Sequence, residues 1–232
     1  MFWTFAEPEA LLGERLVLGG AAGHHLARVL RLRAGEQGVV MLGSRQYLVE
    51  VVTSRGDVIE MRTLEVRAGE TEPAVEVTLF QSALPNPDLD SVIEMGTEVG
   101  VSHFVPVLAA RSVARPAATR VQRWQTIARS AAEQSHRGRI PSVAGPLSLS
   151  AALALDAGLT VLVLHPGGSR HLRDVQLSST KVGLAVGPEG GWSAQDLEQL
   201  ATAGGTPVTM GPRVLRARLA GVIAAAILVQ QS

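Results

Sequence analysis

The length, composition and charge of the chain exclude several classes of protein. It has 232 residues, 46% apolar and 18% charged, so we expect a well-buried core and no extended disorder. Basic and acidic side chains number 21 each, which argues against binding to nucleic acid by bulk charge and leaves room for a local basic face. Because cysteine is absent, disulfides, thiolate metal sites and cysteine nucleophiles are excluded too.

The N-terminus and the apolar runs predict a soluble, cytoplasmic protein that does not enter a membrane. "MFWTFAEPEA" carries acids and a proline where a signal peptide would carry basic and then apolar residues. The longest apolar stretch, near "AGVIAAAILV", is too short to cross a bilayer.

Short β-rich runs predict a small β-barrel over residues 1–70. The runs "LVLGG", "GVVML", "YLVEVV" and "DVIEM" recur between turn signals, as in barrels of short strands. A helix over "HHLARVLRL" interrupts them, and helical spacing predicts that Leu26, Val29 and Leu30 share one apolar face.

A predicted linker at Glu70, Glu72 and Pro73 leads to an α/β domain over residues 74–232. The strand-like runs "VEVTLFQS", "HFVPVL", "TVLVL", "VGLAV" and "PVTMG" alternate with helices. Since these runs are apolar almost throughout, we expect a mostly parallel sheet covered by helices on both faces. The predicted helices cover about 89–99, about 119–135, a segment capped by Ser193 with Asp196 in capping-box position, and about 214–229.

Three turns rich in glycine and proline follow strands of this domain. They read "VLHPGG", "VGPEGGW" and "MGPRVLR". Because ligands of open α/β sheets bind outside the carboxyl ends of strands, the turns favour one shared crevice lined by backbone; the alternative is three ordinary turns. The second turn has neither the dinucleotide-binding spacing nor the Gly-Lys-Ser/Thr of a P-loop, which disfavours a nicotinamide-dependent oxidoreductase.

Two basic segments are candidates for contacts with phosphate. The arginines are Arg28, Arg31 and Arg33 in "HHLARVLRLRAGEQ", and Arg137 and Arg139 in "EQSHRGRIP". Each segment is either a docking surface or a solvated charge run. His24 and His25 are adjacent and do not face one another on a helix, so no metal site is expected.

Several segments together resemble the RsmE family. "HHLARVLRLRAGE", "MGTEVGVSHFVPVLAARSV", "EQSHRGRIP", "LAVGPEGGWSAQDL" and "MGPRVLRARLAG" follow in the family's order, from about His24 to the last helix. Members of the RsmE family are bacterial SPOUT-class enzymes that use S-adenosylmethionine to methylate N3 of a uridine in 16S ribosomal RNA. The resemblance implies a trefoil-knotted, mostly parallel sheet, an N-terminal PUA-like β-barrel that docks RNA, and a homodimer.

The resemblance also implies roles for named residues. S-adenosylmethionine would be held in the three turns, by Leu164, His165, Gly167, Val186, Gly187, Pro188, Glu189, Gly190, Gly191, Met210, Gly211, Val214, Leu215 and Ala217. The five arginines of the basic segments are the candidate RNA contacts. By hypothesis, Arg216 contacts the developing uracil anion or an RNA phosphate, and Glu189 accepts the N3 proton or only structures its loop.

Two places depart from the family's pattern. Ala217, Arg218 and Leu219 stand where the family commonly has Thr-Glu-Thr, and Met95 stands where many relatives have Lys. If the lost carboxylate serves catalysis, the enzyme is slower or uses another base; if it only caps the helix or touches the cofactor, little changes. The replacement also keeps open the alternative of a catalytically weak RNA-binding or ribosome-assembly protein of the same fold. A methyltransferase acting on another RNA position is the other alternative.

Overall fold

The computed structural model describes residues 1–69 and 71–231, which fall into two compact units. The first unit comprises Met1–Glu72 and His136–Arg139, and the second comprises Pro73–Ser135 and Ile140–Ser232. Glu70 of the predicted linker and Ser232 at the end of the predicted second domain lie outside the described residues. That four residues from the middle of the chain belong to the first unit was not predicted, because so short a segment carries no boundary signal.

The first unit is built on a six-stranded sheet with the order β1-β4-β5-β6-β3-β2. Its strands are β1 (Phe2–Ala6), β2 (Leu11–Leu12), β3 (Arg15–Leu18), β4 (Gln37–Leu42), β5 (Arg45–Arg55) and β6 (Val58–Ala68). β1 runs parallel to β4, and the other neighbours are antiparallel. Alternate residues of β5, namely Tyr47, Val49 and Val51, are buried. The four predicted strands are confirmed as β3 to β6; β1 and the two-residue β2 were missed.

The predicted helix of the first unit exists, but its predicted apolar face is wrong. Helix α1 (Gly20–His24) continues as a π-helical turn over His25–Val29. Leu26 is fully buried, whereas Val29 and Leu30 are 61% and 46% exposed. A π turn is wider than 3.6 residues, so positions three and four further on rotate away from the face that Leu26 occupies. Arg31 has φ +54° and ends the helix.

The second unit contains a sheet in which every pairing is parallel. The strands are β7 (Glu76–Ser82), β8 (His103–Leu108), β9 (Ser142–Val143), β10 (Leu147–Ser148), β11 (Thr160–Leu164), β12 (Arg170–His171), β13 (Lys181–Val186) and β14 (Thr206–Thr209). Their order is β10-β8-β7-β13-β11-β14-β12, with β9 beside β8. The five predicted strands are confirmed as β7, β8, β11, β13 and β14. The three missed strands have two residues each, too few to show a pattern.

Helices cover both faces of this sheet. They are α2 (Asp88–Glu98), α3 (Val121–Gln134), α4 (Leu149–Leu153), α5 (Ala194–Thr202) and α6 (Ala217–Val229). Successive side chains of β7 face opposite helix layers. Leu79 packs in the cluster that includes α2, α3 and α6, and Phe80 packs in the cluster that includes α4 and α5. The predicted capping box of α5 is confirmed at Ser193 and Asp196. Across residues 1–69 and 71–231, no helix has the length and apolarity needed to span a membrane.

Candidate functional site

The carboxyl ends of three adjacent strands bring the three glycine- and proline-rich turns together. β11 lies between β13 and β14 in parallel register, so the segments that leave these strands emerge at one edge of the sheet. They enclose a cavity of about 680 Å³, within the range of about 300–1,000 Å³ that is typical of small-molecule sites. Gly168 permits the first turn to pack closely against β14, since a Cβ on Gly168 would lie 2.6 Å from the backbone of Val208.

The cavity takes in the predicted cofactor residues with one exception. The predicted residues that line it are Leu164, His165, Val186, Gly187, Pro188, Glu189, Gly190, Gly191, Met210, Gly211, Val214, Leu215 and Ala217, together with the predicted catalytic Arg216. Gly167 is not among them. Its N–H donates to Nδ1 of His165 at 3.0 Å, so Gly167 shapes the first turn instead of forming cavity wall.

The turn from Gly187 to Gly191 ends in a left-handed backbone conformation, which glycine adopts more easily than other residues. Gly191 has φ +71°, and its N–H donates to the carbonyl of Pro188 at 2.8 Å, which closes the turn. A Cβ on Gly187 would lie 3.2 Å from the ring of Trp192. The buried Trp192 in turn donates from Nε1 to the carbonyl of Leu164 at 3.3 Å. This indole therefore joins the second turn to the first.

Sequence reasoning missed eight residues that line the cavity. They are Arg111, Pro166, Trp192, Val208, Thr209, Pro212, Arg213 and Ala220. Seven are next to or near predicted ones in the chain, but Arg111 comes from a separate segment, three residues beyond the end of β8. The same strand-end rule applies to it. The segment "LAARSV" contributes to the family resemblance, but it lacks the glycine and proline that mark the other turns, so sequence alone assigns it no site residue.

The charged groups that line the cavity are three guanidiniums and one carboxylate. They belong to Arg111, Arg213, Arg216 and Glu189. Arg213, Arg216 and Glu189 are exposed, and none of the three makes a side-chain hydrogen bond or ion pair with the residues that the structure describes. These side chains are therefore available to a ligand, and the excess of guanidiniums favours an anionic one.

The departures from the family's pattern lie largely outside the cavity. Arg218 does not line it, and its Nη1 donates to Oδ1 of Asp88, at the start of α2, at 2.8 Å. Leu219 is 41% exposed, so Ala217 alone of the replaced triplet borders the cavity. Met95 is half-buried and packs against the core of the second unit.

The carboxylate of Glu72 binds the segment His136–Arg139 within the first unit. Arg137 is only 4% exposed and donates from Nη2 to Oε2 of Glu72 at 2.5 Å. Glu72 also accepts from the N–H of Gly138 at 3.0 Å and from Nε of Arg139 at 3.1 Å. Burial raises the pKa of Glu72, but the hydrogen bonds and charges of Arg137, Gly138 and Arg139 outweigh burial and hold that pKa below its usual value. The guanidinium of Arg137 is buried against Glu72, which makes it less accessible to RNA than the other four arginines.

The other candidate RNA contacts remain accessible. Arg28 donates from Nε to Oδ1 of Asp57 at 3.3 Å, and its side chain is 63% exposed. Arg31 and Arg33 are exposed, and Arg139 keeps 43% of its side chain exposed. Nδ1 of His24 lies 3.2 Å from the same Asp57 oxygen. Within the described chain, no three His, Asp or Glu side chains gather as metal ligands would.

Comparisons with known proteins agree with this site. The sequence profile of the RNA methyltransferase domain matches residues 71–229. The chain is 35% identical to the ribosomal RNA small subunit methyltransferase E of Mycobacterium bovis, over 97% of this chain and 88% of that protein. The chain belongs to the RsmE family. The resemblance found in the sequence is thus confirmed.

Solved structures of similar proteins share the fold over the whole chain. The ribosomal RNA small subunit methyltransferase E of Neisseria gonorrhoeae, bound to S-adenosylmethionine, is 29% identical with a TM-score of 0.91, covering 100% of this chain and 98% of its own. A putative methyltransferase of Legionella pneumophila in complex with the same cofactor is 27% identical with a TM-score of 0.88, covering 98% and 96%.

Proposed function

We propose that this chain uses S-adenosylmethionine to methylate N3 of a uridine in small-subunit ribosomal RNA. The observation that carries the proposal is the cavity formed by three strand-end turns in a chain of this family. The relatives' names supply the ribosomal substrate, and the Neisseria and Legionella structures hold the cofactor. The N3 position rests on the family resemblance.

The residues of the cavity fit S-adenosylmethionine. Gly187, Gly190 and Gly191 present backbone N–H and C=O groups without side chains in the way, which suits the polar edges of adenine and ribose. Leu164, Met210 and the other apolar residues of the lining, Val186, Val208 and Leu215 among them, suit the purine faces. When bound, the cofactor supplies a methyl group on a sulfonium, which is already a good leaving group.

The chain's own residues would position the uridine and manage its proton. Uracil N3 must lose its proton before it accepts a methyl group. Glu189 has a carboxylate at the cavity that no described side chain pairs with, and it would accept that proton, a role worth about 10²–10⁴-fold in rate. The guanidinium of Arg216, which likewise has no side-chain partner in the described part of the chain, would stabilise the resulting anion. The target base would enter after leaving its stack.

The position of Arg218 favours an active enzyme over a catalytically weak relative. Its guanidinium is paired with Asp88 and does not line the cavity, so the lost carboxylate changes no charge on the cavity wall. The replacement that does border the cavity, Ala217, adds neither charge nor bulk.

We extend the proposal to architecture and assembly. The second unit would carry the SPOUT trefoil knot in its three turns, and the first unit would be a PUA-like barrel that docks RNA through Arg28, Arg31, Arg33 and Arg139. Two copies would pair in the cytoplasm through the outer side of α6. Leu219 and Ile223 are each 41% exposed there, and a shallow apolar groove is lined by Val99, Val222, Ile223, Ala226, Ile227 and Gln230.

Methyl transfer from labelled S-adenosylmethionine tests the proposal. Unmodified small-subunit ribosomal RNA, free and assembled into the subunit, would be incubated with the purified protein, and the labelled nucleotide would be mapped. One N3-methyluridine per RNA is expected. Label at another position would support the alternative methyltransferase. RNA binding without label, by a protein that binds the cofactor, would support the ribosome-assembly role.

A further inference from the structure

The position of Arg111 is explained neither by the predicted cofactor site nor by the roles proposed for Glu189 and Arg216. Its Nη1 donates to the carbonyl of Gly190 at 3.0 Å, and its stem packs on that glycine, where a Cβ would lie 3.5 Å from Cβ of Arg111. Arg111 is exposed and lines the cavity. The guanidinium is thus held at the edge of the cavity by the glycine-rich turn itself.

The backbone beside Arg111 is fixed from the other side. The N–H of Ala110 donates to Oδ1 of Asp196 at 3.3 Å. Asp196 is only 4% exposed, and its other oxygen accepts from the N–H of Ser193 at 3.0 Å and from the hydroxyl of Ser193 at 2.8 Å. One buried carboxylate therefore ties the Arg111 segment to the start of α5, and the guanidinium is preorganised.

The hydrogen bond to Gly190 uses one of the five N–H donors of a guanidinium. Arg111 forms no ion pair with a carboxylate among the described residues. Among the described residues that line the cavity, Arg111, Arg213 and Arg216 supply three guanidiniums and Glu189 supplies one carboxylate. S-adenosylmethionine carries a net positive charge, so this excess does not serve the cofactor as a whole. It suits an oxyanion that arrives with the second substrate.

Resting on the proposed function, we propose that Arg111 is a substrate-binding residue that receives a phosphate of the RNA strand next to the target nucleotide. One edge of its guanidinium stays on the cofactor turn, and the free edge takes two phosphate oxygens. RNA would then dock against the turn that holds the methyl donor. The carboxylate of the cofactor offers the same chemistry, and the experiment separates the two.

The test compares Arg111→Gln and Arg111→Lys with Arg173→Gln as a matched control. Arg173 lies in the same unit, is 72% exposed, forms its one ion pair among the described residues with its neighbour Asp174, and does not line the cavity. Small-subunit RNA binding would be measured over a series of salt concentrations, and S-adenosylmethionine binding by calorimetry. Thermal midpoints would confirm that each variant is folded.

We expect Arg111→Gln to weaken RNA binding about tenfold and to lower the slope of log K against log salt by about 0.7–0.9, the loss of one phosphate contact. Arg111→Lys should keep the slope and weaken binding about threefold, because an ammonium cannot hold Gly190 and grip two oxygens together. The cofactor's Kd should change less than about twofold in both variants, and the control should match the wild type.

Two results would overturn the inference. Unchanged RNA affinity and salt slope in Arg111→Gln would leave the residue with a structural role only. A weakened cofactor Kd with unchanged RNA binding would assign the guanidinium to the cofactor's carboxylate. Because both measurements are of binding, a wild type that binds RNA and transfers no methyl group would contradict the proposed function and leave this inference standing.

Discussion

The cavity turns of the second unit and the basic segments of the first were predicted from similar short patterns, yet they fared differently. The three turns meet at one cavity and supply most of its lining. Of the five candidate RNA arginines, Arg137 is buried in an ion pair and Arg28 shares Asp57 with His24. A turn after a strand of a parallel sheet has its position set by strand order. The surroundings of an arginine depend on which acid lies nearby in space, and local sequence does not specify that.

The largest effect in this comparison is expected from Gly191→Trp. Gly191 has φ +71°, lines the cavity and has open space at the position of a Cβ. An indole there would occupy the space proposed for the cofactor. We expect S-adenosylmethionine affinity to fall at least about a hundredfold, or about 2.7 kcal/mol, in a calorimetric titration.

Gly204→Trp separates backbone strain from blockage of the cavity. Gly204 has φ +77°, also has open space at its Cβ position, and does not line the cavity. Equal loss of cofactor binding in both variants would show that strain decides the result, and the assignment of the cofactor to this turn would fail.

A second, smaller effect is expected in the stability of the first unit. Glu72→Gln removes the carboxylate charge that faces the buried Arg137, so we expect the free energy of unfolding to fall by about 2 kcal/mol at neutral pH. Because Arg137, Gly138 and Arg139 hold the pKa of Glu72 below its usual 4.5, this stabilisation is complete above pH 4.5 and is lost as the pH falls through the lowered pKa.

Denaturant unfolding at neutral and acidic pH checks this expectation. The difference between wild type and Glu72→Gln should shrink below pH 4.5. Glu65→Gln, which removes the exposed partner of Arg67, serves as control and should change the stability little. A constant difference across the pH range would show that Arg137 is not held by the ionised form of Glu72.

Particular residues show why prediction from sequence succeeded in part. The run "VGLAV", the turn "GPEGG" and the cap at Ser193 are local, and each is confirmed in the structure. The exposure of Val29 and Leu30 was not predicted, because apolar spacing does not distinguish a π turn from an α-helix. Arg111 was missed because its importance lies in a contact with Gly190, 79 residues away in the chain.

A third effect concerns the arginines that stayed exposed. Arg28→Gln/Arg31→Gln should weaken RNA binding about tenfold and flatten its salt dependence by about 1.4–1.8 in slope, the loss of two phosphate contacts. The control Arg62→Gln/Arg67→Gln removes two exposed charges from β6 of the same unit, both already paired with acids. A salt slope that falls equally in both double variants would mean that only the overall charge of the unit matters, and the basic segment would lose its assigned role.

The smallest effect on stability and activity is expected at Arg218, which follows the cavity-lining Ala217 in the chain but does not itself line the cavity. Its pair with Asp88 is 47% and 32% exposed, so Arg218→Glu should lower the free energy of unfolding by only about 0.5 kcal/mol, partly offset because a carboxylate suits the first turn of α6. The double variant Asp88→Arg/Arg218→Glu restores an opposite-charge pair and should regain the wild-type thermal midpoint, with methyl transfer within about twofold of wild type. A methylation rate raised tenfold or more by Arg218→Glu alone would instead show that a carboxylate at this position acts in the reaction. Position 218 would then belong to the reaction site and not to a supporting ion pair outside the cavity.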